Sequence, residues 1–147
     1  MDKLSKKIEF TINEIILKLS GQNEVLIGKC PCGDKITNTQ KHILMLLKDE
    51  DITNKDLALK LNVSQAAITK AIKILIKEGM IVALKDINDA RVLRYKLSNE
   101  AKNIADKHKD HHKQTLLHLN ELVSAYSPEE REIISRFLDD LSLKLRG

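Results

Sequence analysis

Apolar residues recur at three- and four-residue spacing through most of this 147-residue chain. That rhythm gives way once, to two short alternating runs on either side of Ala90. A helix, a tight turn and a second helix stand just before those runs, and a basic surplus falls on the same stretch. These observations predict a mainly α fold with a small β-wing, a winged helix-turn-helix joined to a long helical dimerisation region.

Each element has its own signal. Ile8, Ile12, Ile15, Ile16 and Leu19 share one face of an amphipathic helix over residues 1–20. Gly21 interrupts it, Glu24 to Ile27 resume the pattern, and Gly28 to Gly33 read as a loop, Gly-Lys-Cys-Pro-Cys-Gly. Thr37 and Gln40 have capping-box spacing and open a helix with Ile43, Leu44, Leu46 and Leu47 on its apolar side, which Asp49 to Asp51 end. Thr53 caps the next helix with Asp56 in the reciprocal position, and Leu57, Ala58 and Leu61 face inward. Asn62-Val63 makes the turn, and Ser64 caps a second helix. Its buried stripe is Ile68, Ala71, Ile72, Leu75 and Ile76, and Gly79 ends it in a left-handed cap. Ile81 to Leu84 and Val92 to Leu97 alternate as strands, joined by Asp86 to Arg91. Ser98 or Asn99 starts a long helix that runs to about Ala125. Ser127-Pro128-Glu129-Glu130 then supplies a cap, a proline at the first helical position and a glutamate at the third. Ile133, Ile134, Phe137, Leu138 and Leu141 form the last apolar face.

The face opposite the buried stripe of the second helix carries Gln65, Ala66, Thr69, Lys70, Lys73 and Lys77. Lysine, threonine and glutamine suit phosphates and base edges, and a small alanine lets a groove come close. From Lys60 to Arg94 there are seven basic and three acidic residues, a surplus of +4 that equals the net charge of the whole chain. A basic excess on one helix face and one hairpin tip is the footprint of duplex DNA. Gln65, Ala66, Thr69, Lys70 and Lys73 are expected at the major groove. Arg91 at the wing tip is expected in the minor groove, positioned by Asp89, with Asn54, Ser64 and Lys77 on phosphates. A winged helix used for protein contacts alone would carry the same face as a solvated surface.

Composition narrows the alternatives. Aromatics at 3% argue against readers that stack single-stranded bases. No apolar run approaches a membrane span, and Met1 to Phe10 contain no signal-peptide core. A cytoplasmic protein with no membrane partner is expected, with Cys30 and Cys32 as reduced thiols, because a bridge between cysteines two apart with Pro31 between them would also be strained. The terminal helices exceed what one small winged helix needs for burial. Residues 1–36 and 98–147 are therefore read as a dimerisation region and 37–97 as the DNA-binding lobe. A two-fold homodimer presents two reading helices about one DNA turn apart, which fits a palindromic operator.

The long helix has a core stripe of Ala101, Ile104 and Ala105, then Leu116, Leu119, Leu122 and Val123. Between them the spacing puts His108 and His112 where apolar residues belong. Histidines at i and i+4 share a face and can share a metal, and imidazole pairs suit Zn2+. Glu24 and His42 are the candidates to complete four ligands. Solvated histidines on a polar helix are the alternative.

Three segments together carry a family resemblance: TNTQKHILMLL, TNKDLALKLNVSQAAITKAIK, and the wing residues Asp86, Asp89 and Arg91. The chain resembles the MarR family of winged-helix repressors over essentially its whole length. With Glu24, His42, His108 and His112 in this frame it is similar to the zinc-responsive AdcR/ZitR subgroup. The resemblance implies a repressor of zinc-uptake genes with Zn2+ as co-repressor, held by those four residues. It also implies a second site built on a cysteine, matched by Cys30, and two acidic residues. Those acidic positions are Lys41 and Lys107 here, and an ammonium is a poor ligand. Cys32, Asp110 or His111 could substitute, and Cys30, Cys32 and His111 form the candidate second set.

Two other functions remain in view. One is a MarR-type repressor released by oxidation of Cys30 and Cys32 or by a small ligand. The other, a zinc hydrolase, lacks the H-E-x-x-H pattern, and four protein ligands leave no position for water.

Overall fold

Six helices and one hairpin follow each other in the computed structural model, which describes residues 1–19, 30–33, 35–89, 91 and 93–147. The helices are α1 (Lys3–Leu19), α2 (Asn38–Asp49), α3 (Asn54–Leu61), α4 (Gln65–Lys77), α5 (Asn99–Ser124) and α6 (Pro128–Arg146), and the strands are β1 (Ile81–Lys85) and β2 (Leu93–Leu97). The expected resumption of helix at Glu24 to Ile27 lies outside the described residues. Two compact units divide the chain, residues 1–112 and 113–147, so the boundary falls within α5.

Local chemistry sets the element ends. At α2, Thr37 Oγ1 accepts from the Gln40 amide and the Thr37 amide donates to Gln40 Oε1. Ser127 and Glu130 make the same reciprocal pair at α6. At α3 only half of the expected box forms: Asp56 N–H donates to Thr53 Oγ1 at 3.1 Å, with no return bond. Aspartate is one methylene shorter than the glutamine and glutamate that close the other two boxes. Asn62 takes the left-handed conformation at φ 53°, which lets the chain reverse into Ser64, the cap of α4. At the far end of α4, Gly79 has φ 72°, its amide donates to the Ile76 carbonyl, and the Met80 amide donates to that of Leu75. These two bonds are a Schellman motif, and glycine carries its left-handed residue without Cβ strain.

The core of the first unit gathers Ile43 and Leu44 of α2, Leu57 and Ala58 of α3, Ile68, Ala71, Ile72 and Leu75 of α4, Met80, Ile81 and Leu97 of the hairpin, and Ala101, Ile104 and Ala105 of α5. Ile76 departs from the expected stripe and is 42% exposed. It lies one residue, about 100° of helix, beyond Leu75, and the buried face is only as wide as Ile68, Ala71, Ile72 and Leu75 need. The strands pair antiparallel with Ile81 opposite Leu97 and Lys85 opposite Leu93. Within the second unit, α6 has no buried residue, and Ile133, Phe137 and Leu138 are all exposed. On α1, Leu4, Phe10 and Ile16 are likewise exposed.

Candidate metal centre and nucleic-acid interface

α2 and α5 meet along one edge of the first unit. Exposed ion pairs tie them, Lys48 to Asp106 and Lys109 to Asp49. Between these helices the interior turns polar. His108 is fully buried and His111 nearly so. His108 Nε2 lies 2.7 Å from His42 Nδ1, and the rings stand edge to face with centroids 4.3 Å apart. The His112 ring is 5.1 Å from that of His42. His42, His108 and His112 are thus brought together, across 66 residues of sequence between the first two. Glu24, the fourth expected ligand, lies outside the described residues.

The donor set fits a borderline-soft cation. Two imidazole nitrogens in contact must split roles, one donating and one accepting, whereas a metal ion would take a lone pair from each. Burial, reinforced by the charges of His42 and Lys41 close by, pushes the His108 ring down to about 3. The imidazole is therefore held neutral, the form that ligates. One turn before His42, Asn38 Oδ1 is buried with no hydrogen-bond partner among the described residues, and the Asn38 carbonyl lies 3.2 Å from His42 Nδ1.

Cys30 and Cys32 join as a disulfide, which corrects the expectation of reduced thiols. The turn at Pro31–Cys32 brings the two Cα atoms to 5.3 Å, inside the range that a disulfide spans. The third donor beside them is His108: ligand atoms of Cys30, Cys32 and His108 all lie within 4.8 Å of one another. His111 is outside that cluster. It is nevertheless buried on the same helix, three residues after His108, so among the described residues the expected set of Cys30, Cys32 and His111 is replaced by one with His108 in the place of His111.

The prospective DNA face is open. Gln65, Ala66, Thr69, Lys70, Lys73 and Lys77 are all exposed on α4. At the wing, Arg91 donates from Nε and Nη2 to the two oxygens of Asp89, at 3.1 and 3.3 Å, while its own side chain remains almost wholly exposed. The Arg91 hydrogen bonds hold the Asp89 carboxyl below the usual range. Asn54, half-buried, accepts from the Tyr95 hydroxyl at 2.9 Å, so its carboxamide is oriented by the second strand. Sequence reasoning counted Arg94 only as charge. It bonds Asp86 at 2.6 Å and also pairs with Asp51, fastening the wing to the segment between α2 and α3. A basic residue and an acidic one flanking the same hairpin was the available signal.

This arrangement, a winged helix-turn-helix with a basic reading helix and a buried imidazole cluster on the helix behind it, defines a class of DNA-binding regulator. The chain belongs to the MarR family, whose pattern matches residues 36–93. It is 50% identical over 141 residues to the transcriptional regulator AdcR of Streptococcus pneumoniae, covering 96% of this chain and 97% of the relative. Among solved structures it is similar to the zinc-dependent MarR family regulator AdcR in the Zn(II)-bound state, at 48% identity and TM-score 0.72, covering 99% of each chain. It is also similar to wild-type ZitR of Lactococcus lactis in complex with DNA, at 37% identity and TM-score 0.82, again covering 99% of each chain.

Proposed function

We propose that this protein is a zinc-dependent transcriptional repressor of zinc-uptake genes that binds a palindromic operator as a homodimer in the cytoplasm. The contact between His42 of α2 and His108 of α5 is the observation that carries the reading. It lies where the helix leading into the reading head meets the helix leading away from it. His42, His108 and His112 would hold the ion, with Glu24 as fourth ligand on the strength of the resemblance. Bound zinc supplies a multi-donor tether between α2 and α5 and positive charge in a buried site.

The remaining work falls to the chain. Residues 37–97 act as the DNA-binding lobe, and residues 1–36 with 98–147 as the dimerisation region. The exposed apolar side chains of α1 and α6 support that division, because faces of this kind need a partner. Gln65, Ala66, Thr69, Lys70 and Lys73 read the major groove, with Asn54 and Ser64 on phosphates. Asp89 splays the guanidinium of Arg91 toward the minor groove. Holding α2 against α5 restricts the separation of the two reading heads, so metal and duplex favour each other reciprocally.

The test is fluorescence anisotropy on a duplex selected from a random pool by zinc-loaded protein. Zinc-loaded parent should bind and chelated parent should not, while His108→Ala should behave as chelated parent at every zinc concentration. Equal binding by all three would end the proposal.

A further inference from the structure

His108 turns its two ring nitrogens to two different donor groups. Nε2 faces His42 at 2.7 Å, and Nδ1 faces Cys32 Sγ at 4.0 Å. Cys30 is buried, Cys32 is half-buried, and both sulfur atoms lie within 4.8 Å of the nearer His108 nitrogen. We infer that Cys30, Cys32 and His108 Nδ1 form a redox-gated site for a thiophilic divalent cation, next to the imidazole cluster and sharing His108 with it. This rests on the reading of His108 as a metal ligand, but not on the imidazole cluster's effect on DNA.

The chemistry follows from what each oxidation state offers. As a disulfide, the two sulfur atoms have no thiolate charge and are negligible ligands for a divalent ion. Reduced, they give two thiolates beside a nitrogen, a soft set that favours zinc-like ions over magnesium or calcium. A neutral imidazole has one lone pair, so His108 serves one donor group at a time. With the disulfide closed, His108 belongs wholly to His42 and His112. With it open, the two sets compete for the same ring.

Closing the gate needs a two-electron oxidant, and a small-molecule disulfide is sufficient. The Cys32 thiolate, the more accessible of the two, attacks one sulfur and expels the first small thiolate, leaving a mixed disulfide. The Cys30 thiolate then attacks Cys32 Sγ and expels the second. Two electrons pass from the cysteines to the reagent, two small thiols form after protonation, and any bound cation leaves with its charge.

Cobalt(II) is the probe, because thiolate ligation gives a near-ultraviolet charge-transfer band that imidazole ligation lacks. The full chain is prepared reduced by a phosphine and, separately, oxidised by glutathione disulfide, each freed of reagent and titrated anaerobically. The reduced protein should develop the band and lose it on addition of zinc. The oxidised protein should lack it, and reduction should restore it. His42→Ala, reduced, should keep the band, whereas His108→Ala and Cys32→Ser should weaken it. His42→Ala also separates this inference from the proposed function: loss of zinc-dependent duplex binding with the band intact leaves both standing, and loss of the band overturns only this one. A reduced protein that takes up cobalt without the band, an unchanged band after oxidation, or no cobalt uptake in either state overturns the inference. Should the variants fail to fold, zinc protection of the two thiols of the parent from alkylation decides: protection supports the site, and full reactivity refutes it.

Discussion

Gln65, Thr69, Lys70 and Lys73 stand in open solvent on one face of a single helix, whereas His42 and His108 meet in the interior across 66 residues of sequence. The first surface is built by helical spacing alone. Given a capped helix, every third or fourth residue must line up, and the surface exists before any tertiary contact forms. The second is built by packing. Its residues converge only because α2 and α5 bury their apolar stripes in one core, and their polarity is tolerated there because each ring finds a partner. A reading surface made this way is salt-sensitive and graded, losing affinity contact by contact. A buried donor cluster is closer to all-or-none, since removing one ring strips a partner from the others.

That contrast can be sharpened by experiment. Removing an outer-shell partner of a metal ligand typically costs 10–100-fold in affinity, so replacing a ligand ring itself, His108→Ala, should cost at least about 100-fold in zinc affinity, measured by competition with a calibrated chelator. A loss of less than about tenfold would remove His108 from the donor set.

The second prediction concerns pH. His108 is held near 3 in the folded chain against an ordinary value of 6.5, so the unfolded chain binds the proton more readily. Stability contributed by the neutral ring is therefore complete above 6.5 and is lost as pH falls from there toward 3. At pH 5 the metal-free protein should be less stable by about 2 kcal/mol from this ring alone, read from urea midpoints of parent and His108→Ala. If both proteins lose stability equally between pH 8 and pH 5, the ring is not held neutral by burial.

On the open face effects should be smaller and depend on salt. Arg91→Ala should weaken duplex binding by about tenfold and reduce the slope of log affinity against log salt by roughly one. An unchanged slope would take the wing out of the groove. Least of all, Gly79→Ala should cost about 1–2 kcal/mol of stability, because the left-handed backbone at φ 72° penalises a Cβ even though nothing lies within 4 Å of it. Its metal affinity should be that of the parent.

The same contrast explains what was legible in the sequence. The boxes at Thr37 and Ser127, the left-handed Gly79 and the basic face of α4 depend on residues within a few positions of each other, and all are present as read. The burial of His108 was legible too, since a polar residue in register with Ala101, Ile104 and Ala105 must go where they go. Errors came where one residue or one bond decides. Ile76 continues the apolar pattern but overshoots the buried face. Asp56 has the right charge for a capping box and too short a reach. Pro31, read as an obstacle to a bridge between Cys30 and Cys32, instead lies in the turn that brings them together, and neither compartment nor spacing reveals that. Which nitrogen of His108 faces which neighbour is a matter of ring orientation in a packed core, and no spacing rule reaches it.

The proposed coupling joins the buried imidazole cluster to the reading helix, and coupling is reciprocal. Zinc affinity should therefore be measured twice by chelator competition, on the free dimer and on the dimer saturated with its selected duplex. Zinc should bind more tightly on DNA, by the same factor by which zinc tightens the duplex and at least about tenfold. Identical zinc affinities in the two states would contradict it, however well each ligand binds alone.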